Sequence, residues 1–211
     1  MGTLVEGAGK PWSVVYGQEI GGRQDAVRYE VRAGDVEDKA YRASRSETAW
    51  GDHAPFGSER EYRFSLFIPS EPDWTEAARS NLVMGQIHHG TDGCFVYPPV
   101  LQTLGLRDGQ YFLYIAAQYR KSGCYPTRGA FERMRIEFDK WYDFHYRIRF
   151  SQGDDGYVKL TVNDETVMDY DGPVGFQLGE KQGPRNWHHF LKLGLYRQID
   201  SDAPIWVYYK Y

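Results

Sequence analysis

The stretch WYDFHYRIRFSQGDDGYVKLTVND, from Trp141 to Asp164, decides the fold class. It predicts two strands, WYDFHYRIRF and GYVKLTVND, because aromatic and β-branched residues are typical of a pleated, half-buried surface. The SQGDDG segment between them contains Asp-Gly, a strong signal for a hairpin connection. A second tight turn is predicted at VNDET. The stretch therefore favours antiparallel β-sheet.

The same pattern recurs along the chain. Strands are predicted in AVRYEVRAGD (26–35), EYRFSLFIP (61–69), GQYFLYIAAQYR (109–120), HFLKLGLYRQ (189–198) and IWVYYKY (205–211). One helix is predicted, over Ser70–Leu82, where Ser, Pro and acidic residues suit a helix start. We find no linker and no internal repeat. We therefore expect one all-β domain over residues 1–211, a jelly-roll sandwich whose sheet leaves a concave groove.

Composition and charge limit the classes of function that the chain can have. The net charge is −4, so bulk electrostatics do not favour nucleic-acid binding. We expect no membrane span, because no apolar run approaches the ~18 residues needed. Aromatic residues make up 16% of the chain, which suits either a β-sheet core or a sugar-binding groove. The opening residues lack a signal peptide, which fits a cytoplasmic protein or a mature secreted one. Cys94 and Cys124 could form one disulfide or stay as two thiols.

Strand alternation divides the histidine pair in MGQIHHG. Residues two apart share a face, so Gln86 and His88 point one way while Ile87 and His89 point the other. Adjacent strand residues diverge, so the pair does not share a metal ion. His89 is expected to pack inside. His188 and His189 are expected to be strand-entry residues without chemistry.

Two further segments carry polar residues on one face. In HHFLKLGLYRQ a leucine row predicts a core face, and the opposite face carries Lys192, Gly194 and Tyr196. Glycine weakens a strand interior and often marks the close approach of a ligand. In ASRSETAW, Arg45 and Glu47 share a face. They form either a cross-strand ion pair or an arginine held by its glutamate and aimed at an anion.

These three segments resemble motifs of the β-jelly-roll polysaccharide lyases. RSE (45–47), QIH (86–88) and HFLKLGLYRQ (189–198) stand in the order of the alginate lyase family 7 motifs R-S/T-E, Q-I/V-H and Y-F-K-A-G-V/I-Y-N-Q. The surrounding sequence, from about residue 27 to the C-terminus, resembles the glucuronan lyase and heparin lyase I group more than it resembles the alginate lyases. Two departures are Leu193, where alginate lyases usually have Ala, and Arg197, where they have Asn.

The resemblance implies β-elimination at a uronate, which leaves a C4–C5 double bond. Arg45 and Gln86 would neutralise the carboxylate and stabilise the enolate-like anion. His88, with an ordinary pKa near ~6.5, suits a general base, and Tyr196, near ~10, suits the acid. Alternatively Tyr196 performs both steps, helped by Arg45 or Lys192. The stereochemistry at C5 decides between these alternatives, and the sequence does not give it.

The remaining expectations follow from that chemistry. Lys192 would bind a neighbouring carboxylate, and His53, in the loop WGDHAPFG, would lie at the groove rim and contact substrate. No cofactor is expected to be required. Members of the glucuronan and heparin lyase group are associated with calcium. The sequence contains no obvious group of calcium ligands, so a calcium site is possible but is not predicted. We expect a monomer that acts on an anionic polysaccharide, glucuronate-rich in the first place and alginate next. Because the polymer lies outside the cell, we expect a secreted or periplasmic protein.

Other classes of function make different demands on the sequence. A carbohydrate-binding module or lectin on the same fold would use the aromatic groove but would not need Gln86, His88 and Tyr196 together. A jelly-roll glycoside hydrolase would need two carboxylates flanking the bond, and the strands offer no E-x-D-x-E pattern. The lyase is therefore the leading hypothesis, with the binding module second.

Overall fold

Two antiparallel sheets carry nearly all the regular structure in the computed structural model of the chain. The structure describes residues 3–7, 9–38, 43–51, 53–79, 82–89, 98–120, 125–176, 188–197 and 203–211. Cys94 and Cys124 lie outside these residues. In chain order the elements are β1 Thr3–Gly7, β2 Val14–Ile20, β3 Arg23–Val31, β4 Val36–Asp38, β5 Ala43–Trp50, β6 Ala54–Pro55, β7 Glu59–Phe67, α1 Trp74–Arg79, β8 Leu82–His89, β9 Val100–Arg107, β10 Gln110–Tyr119, β11 Thr127–Arg135, β12 Trp141–Arg149, β13 Tyr157–Val162, β14 Glu165–Asp171, β15 His188–Arg197 and β16 Ile205–Lys210.

The strand order identifies a jelly-roll sandwich, as the sequence predicts. One sheet runs β1-β5-β15-β8-β9-β10-β11, with β4 beside β5 and β6 beside β15. The other runs β14-β13-β12-β7-β16-β3-β2. Neighbours in each sheet come from distant parts of the chain, so long-range pairing, not local hairpins alone, assembles the fold.

The predicted hairpins form as expected. Strands β12 and β13 pair antiparallel through the SQGDDG connection, and β13 continues into β14. Asn163 and Asp164 both adopt positive φ, 50° and 66°. Two consecutive left-handed residues are typical of the type I′ turn, whose twist matches that of the flanking strands.

The core lies between the sheets and absorbs much of the aromatic content. The rings of Phe64 and Phe144 stack with centroids 5.0 Å apart, and the ring centroid of Tyr146 lies 6.4 Å from that of Phe144. Opposite them lie the leucines of β15, Leu191, Leu193 and Leu195, all buried. Each fully buried side chain of this size contributes about 1.5–3 kcal/mol of transfer free energy.

The helix is shorter than predicted. Only Trp74–Arg79 is helical, where Ser70–Leu82 was expected. The Asp73 carboxylate accepts the Thr75 amide at 2.9 Å, so the helix begins with a side-chain cap at Asp73 rather than at Ser70. At the other end Leu82 already belongs to β8. No helix of the described residues is long and apolar enough to cross a membrane.

Candidate active site

The three motif segments lie on three adjacent strands. RSE is on β5, the KLGLY segment on β15 and QIH on β8, and β15 pairs with both others. Because the leucines of β15 face the core, Lys192 and Tyr196 point to the other side of the sheet. We call that side the groove face. The sequence therefore places the motif residues on one surface, as alternation predicts.

Arg45 and Tyr196 are directly opposite each other in the β5–β15 ladder. The guanidinium carbon of Arg45 lies 5.1 Å from the centroid of the Tyr196 ring, a cation–π arrangement. Both side chains are half-buried, so each keeps a surface open on the groove face. The pair combines a permanent cation with a phenol that can carry a proton.

Glu47 has a partner, Gln86, that the sequence did not suggest. The Gln86 side-chain amide donates to the Glu47 carboxylate at 2.6 Å, crossing β15 near Gly194. Glu47 is 1% exposed, so this charge-assisted bond forms away from bulk water. The expectation that Glu47 serves to hold Arg45 is therefore incomplete, because its carboxylate also orients Gln86.

Lys192 lies between these groups on the groove face. It pairs with Ala49 on one side and Gln86 on the other. Its ammonium nitrogen lies 5.8 Å from the Phe190 ring centroid, and the residue is 5% exposed. Only a small part of Lys192 is open to a ligand, so its charge acts mainly from beneath the surface.

His88 and Tyr196 lie at different positions of the β8–β15 ladder, and their convergence stays a prediction. His88 is opposite Phe190 in the β8–β15 ladder, whereas Tyr196 is opposite Val83. Along β8 the positions of His88 and Val83 are five residues apart, about 17 Å in a regular strand, and β15 covers the same span with one extra residue at its bulge. The ladder therefore places His88 and Tyr196 in different rows of the groove face.

His88 instead belongs to a ring cluster with Phe190 and His53. The Phe190 ring centroid lies 5.3 Å from that of His88 and 5.5 Å from that of His53. His53 is exposed, consistent with the predicted position at a rim. We call His53, His88 and Phe190 the histidine cluster. It occupies the same face as Tyr196 but the opposite end of β15.

His89 and His189 are buried, as predicted for His89, whereas His189 was expected to be a strand-entry residue and His145, on β12, is half-buried. His89 is 3% exposed and its ring stacks on Phe176 with centroids 4.6 Å apart. His189 is fully buried, and its ring lies parallel to that of Phe150 at 3.9 Å. Both rings fill the core, and we assign them no chemistry.

The structure explains why position 194 is a glycine, which the sequence alone did not. It lies in a bulge between Leu193 and Tyr196, with φ +134°. A Cβ at this position would overlap the backbone of β5 and lie 2.8 Å from the Glu47 Cα and 2.9 Å from the Tyr29 ring. The close approach is that of the neighbouring strand, whereas the sequence interpretation favoured a ligand.

Buried tyrosines from the opposite sheet support the bulged strands. The Tyr209 hydroxyl donates to the Met84 carbonyl, in β8, and the Tyr29 hydroxyl donates to Thr48 at 2.8 Å. Burial raises the pKa of Tyr209 well above its ordinary value, and Glu47 raises it further. Burial also raises the pKa of Tyr29. Both hydroxyls therefore keep their protons and serve as hydrogen-bond donors.

The described residues hold no group of three or more His, Cys, Asp or Glu side chains placed to bind a metal ion. The groove face brings several polar groups together. These are a phenol beside a guanidinium, an amide oriented by a carboxylate, and a shielded ammonium.

Known structures share the fold. The chain resembles the endo-β-1,4-glucuronan lyase of the fungus Trichoderma reesei, with a TM-score of 0.72 and 14% identity over 98% of this chain and 87% of that one. It also resembles a variant of alginate lyase Aly36B in complex with alginate tetrasaccharide. The TM-score is 0.62 and the identity 14%, over 99% of this chain and 94% of that one. A third similar structure is the marine PL-14 alginate lyase of Aplysia kurodai. Its TM-score is 0.56 and its identity 12%, over 94% of this chain and 85% of that one. At these identities the likeness establishes the fold.

Comparison of the sequence with family models identifies the family. No curated protein is detectably similar to the chain in sequence. A family model described as Polysaccharide lyase matches residues 8–210. Since that match spans nearly the whole chain, the protein belongs to the polysaccharide lyase family.

Proposed function

We propose that the protein cleaves a uronate polysaccharide by β-elimination, with Tyr196 as both base and acid. The observation that carries the proposal is the Arg45–Tyr196 pair, with the guanidinium 5.1 Å from the ring. A cation beside a phenol favours the phenolate, which is the form that can accept a proton. With His88 at the far end of β15, Tyr196 is the site's candidate for proton transfer.

The proposed cycle balances without water. The Tyr196 phenolate takes the proton from C5, next to the carboxylate. The electron pair left on C5 forms the C4–C5 double bond, and the C4–O4 bond breaks. Tyr196 then donates its proton to O4 of the leaving sugar and returns to the phenolate. Both transfers occur on one face of the ring, so the substrate must present H5 and O4 on the same side.

Arg45 and Gln86 supply the charge stabilisation that this cycle needs. The C5 proton is weakly acidic, and removing it places more negative charge on the carboxylate. Preorganised donors facing developing charge are usually the largest single catalytic contribution. Arg45 offers a planar fork suited to a carboxylate. Glu47 fixes the Gln86 amide, which keeps a second N–H available.

The proposed substrate is a glucuronate-rich polymer, with alginate next. Support comes from the sequence resemblance and from the glucuronan and alginate lyases that share the fold. A polymer of this size stays outside the cell, so we infer that the protein acts there.

The test is formation of the unsaturated uronate, followed by its ultraviolet absorbance. Glucuronan, alginate, heparan sulfate, hyaluronan and ulvan form the panel, and we expect the fastest product formation on glucuronan. Absence of product on every polymer, with binding retained on one of them, would contradict the lyase and support a carbohydrate-binding module.

A further inference from the structure

The row of residues that contains Arg45 and Tyr196 continues across the whole sheet. Tyr196 is paired with Val83, Val83 with Thr103, Thr103 with Tyr114, and Tyr114 with Arg133. Cross-strand partners share a face, so all of these side chains lie on the groove face. The row reaches the edge strand β11.

A second row joins Gln86 to the same distant region. Lys192 is paired with Gln86, Gln86 with Leu101, Leu101 with Ala116, and Ala116 with Phe131. Both rows therefore lead from the candidate active site to β10 and β11. The side chains in the middle of the rows are small or aliphatic, so they leave room for a ligand along the floor.

The far end of the two rows carries an aromatic platform. The rings of Tyr114 and Phe131 are stacked, with centroids 5.6 Å apart and an interplanar angle of 19°. A Cβ on Gly105 would collide with the Tyr114 ring, so the ring lies flat against β9 because position 105 has no side chain. Phe131 is 44% exposed. The flat ring of Tyr114 and the exposed ring of Phe131 together offer an aromatic surface on which the apolar face of a pyranose can pack.

Arginines flank the platform. The Arg128 guanidinium carbon lies 4.7 Å from the Phe131 ring centroid, and that of Arg133 lies 5.2 Å from the Phe112 ring centroid. Within the described part of the chain neither arginine forms an ion pair with a carboxylate, whereas Arg23 and Arg149, on the outer face of the other sheet, do. Such arginines match the carboxylates of a polyuronate.

We propose that Tyr114, Phe131, Arg128 and Arg133 form a distal subsite for the same uronate polymer. The inference rests on the proposed function. Adjacent strands are about 4.8 Å apart, close to the length of one sugar residue in the chain. Tyr114 is three strands and Phe131 four strands from Tyr196, so the subsite holds sugars about three to four residues from the bond that breaks. The polymer crosses the strands along the two rows.

The test compares long and short substrates. Phe131→Ala and Arg133→Gln each remove one contact at exposed positions. We expect KM for the polymer to rise roughly five- to tenfold with kcat unchanged, since each lost contact is of the order of 1 kcal/mol. On a uronate trisaccharide, too short to reach from Tyr196 to β11, both variants should match the wild type. Tyr16→Ala, which removes an exposed ring on β2 in the other sheet, is the control.

Binding separates this inference from the proposed function. Calorimetry of the polymer with Tyr196→Phe, alone and combined with Phe131→Ala, measures affinity without turnover. Weaker binding by the double variant supports the subsite even if the wild type forms no product. Unchanged KM and unchanged affinity in both platform variants would overturn the subsite while leaving the lyase proposal intact.

Discussion

Tyr196 and Arg45 show how much a single cross-strand pair can decide. Their side chains are adjacent because β5 and β15 pair in one register, which brings residues about 150 positions apart into contact. A guanidinium over a phenol ring is a cation–π contact that holds both side chains in place.

Glu47 supports a prediction about Gln86. Glu47→Ala removes the acceptor that orients the amide, and we expect kcat/KM to fall about 10- to 100-fold. Glu47→Gln keeps an acceptor oxygen and should lose less activity. Steady-state kinetics on the best polymer measure both.

The control for Glu47 is Glu61→Ala, which removes a carboxylate exposed on the opposite side of the sandwich. It should leave kcat/KM unchanged. Equal activity in Glu47→Ala and the wild type would mean that the bond to Gln86 has no part in the reaction.

At the scale of elements, the bulge at Gly194 sets the direction of Tyr196. The β15–β8 register shifts between Leu193 and Tyr196, and the β8–β9 register shifts between Val83 and Gly85. Bulges redirect side chains and increase local twist. Two of them meet beside Tyr196, and Tyr209 donates to Met84 within the second.

Gly194→Ala should be strongly destabilising. It combines a positive φ with overlap against the β5 backbone, and we expect a loss of about 3 kcal/mol in the free energy of unfolding. Gly17→Ala is the matched control, since Gly17 has φ +69° but open space around it, and should cost about 1 kcal/mol. Urea unfolding of both variants measures the difference. Equal losses would show that the close approach of β5 does not matter.

The strands also show what sequence could and could not predict. Alternation assigned the faces of Gln86, His89 and Lys192 correctly, because the side-chain period of two is local. It could not predict which residue of β15 lies opposite His88, because register depends on the bulges and on partners far along the chain. The platform at Tyr114 and Phe131 was missed for the same reason. Its residues become a surface only when β10 and β11 join the rows from Tyr196.

At the scale of the molecule, the two outer faces differ in charge pairing. The face of the β12 sheet carries ion pairs such as Arg23–Asp143 at 2.6 Å and Arg149–Asp155 at 3.1 Å, which leave little charge for a ligand. The groove face presents Arg128 and Arg133, which form no ion pair within the described residues. An anionic polymer is therefore expected on the groove face, although the net charge of the chain is −4.

The buried tyrosines predict alkaline unfolding. Burial raises the pKa of Tyr29, Tyr146 and Tyr209, so these phenols stay neutral in the folded protein. Their stabilising effect is complete below the unfolded pKa of ~10 and is lost as pH rises above it. Above that pH, ionisation of each of these phenols in the unfolded chain should lower the free energy of unfolding by about 1.4 kcal/mol per pH unit.

A spectrophotometric titration of the phenols, followed in parallel by circular dichroism, checks this. Some of the 17 tyrosines should ionise only as the sheets unfold. Tyr209→Phe should make the alkaline loss of stability less steep, and Tyr16→Phe, at an exposed position, should not. Complete ionisation of all phenols in the folded protein would contradict the burial.

The most direct test of the account is the rate of unsaturated product formation by Tyr196→Phe beside that of His88→Ala, on the same polymer. If Tyr196 is both base and acid, Tyr196→Phe should lose about 10³-fold or more in kcat while still binding the polymer. His88→Ala, changed about 17 Å away along β8, should stay within roughly tenfold of the wild type. A His88→Ala variant as inactive as Tyr196→Phe, or a Tyr196→Phe variant that keeps its rate, would contradict the account.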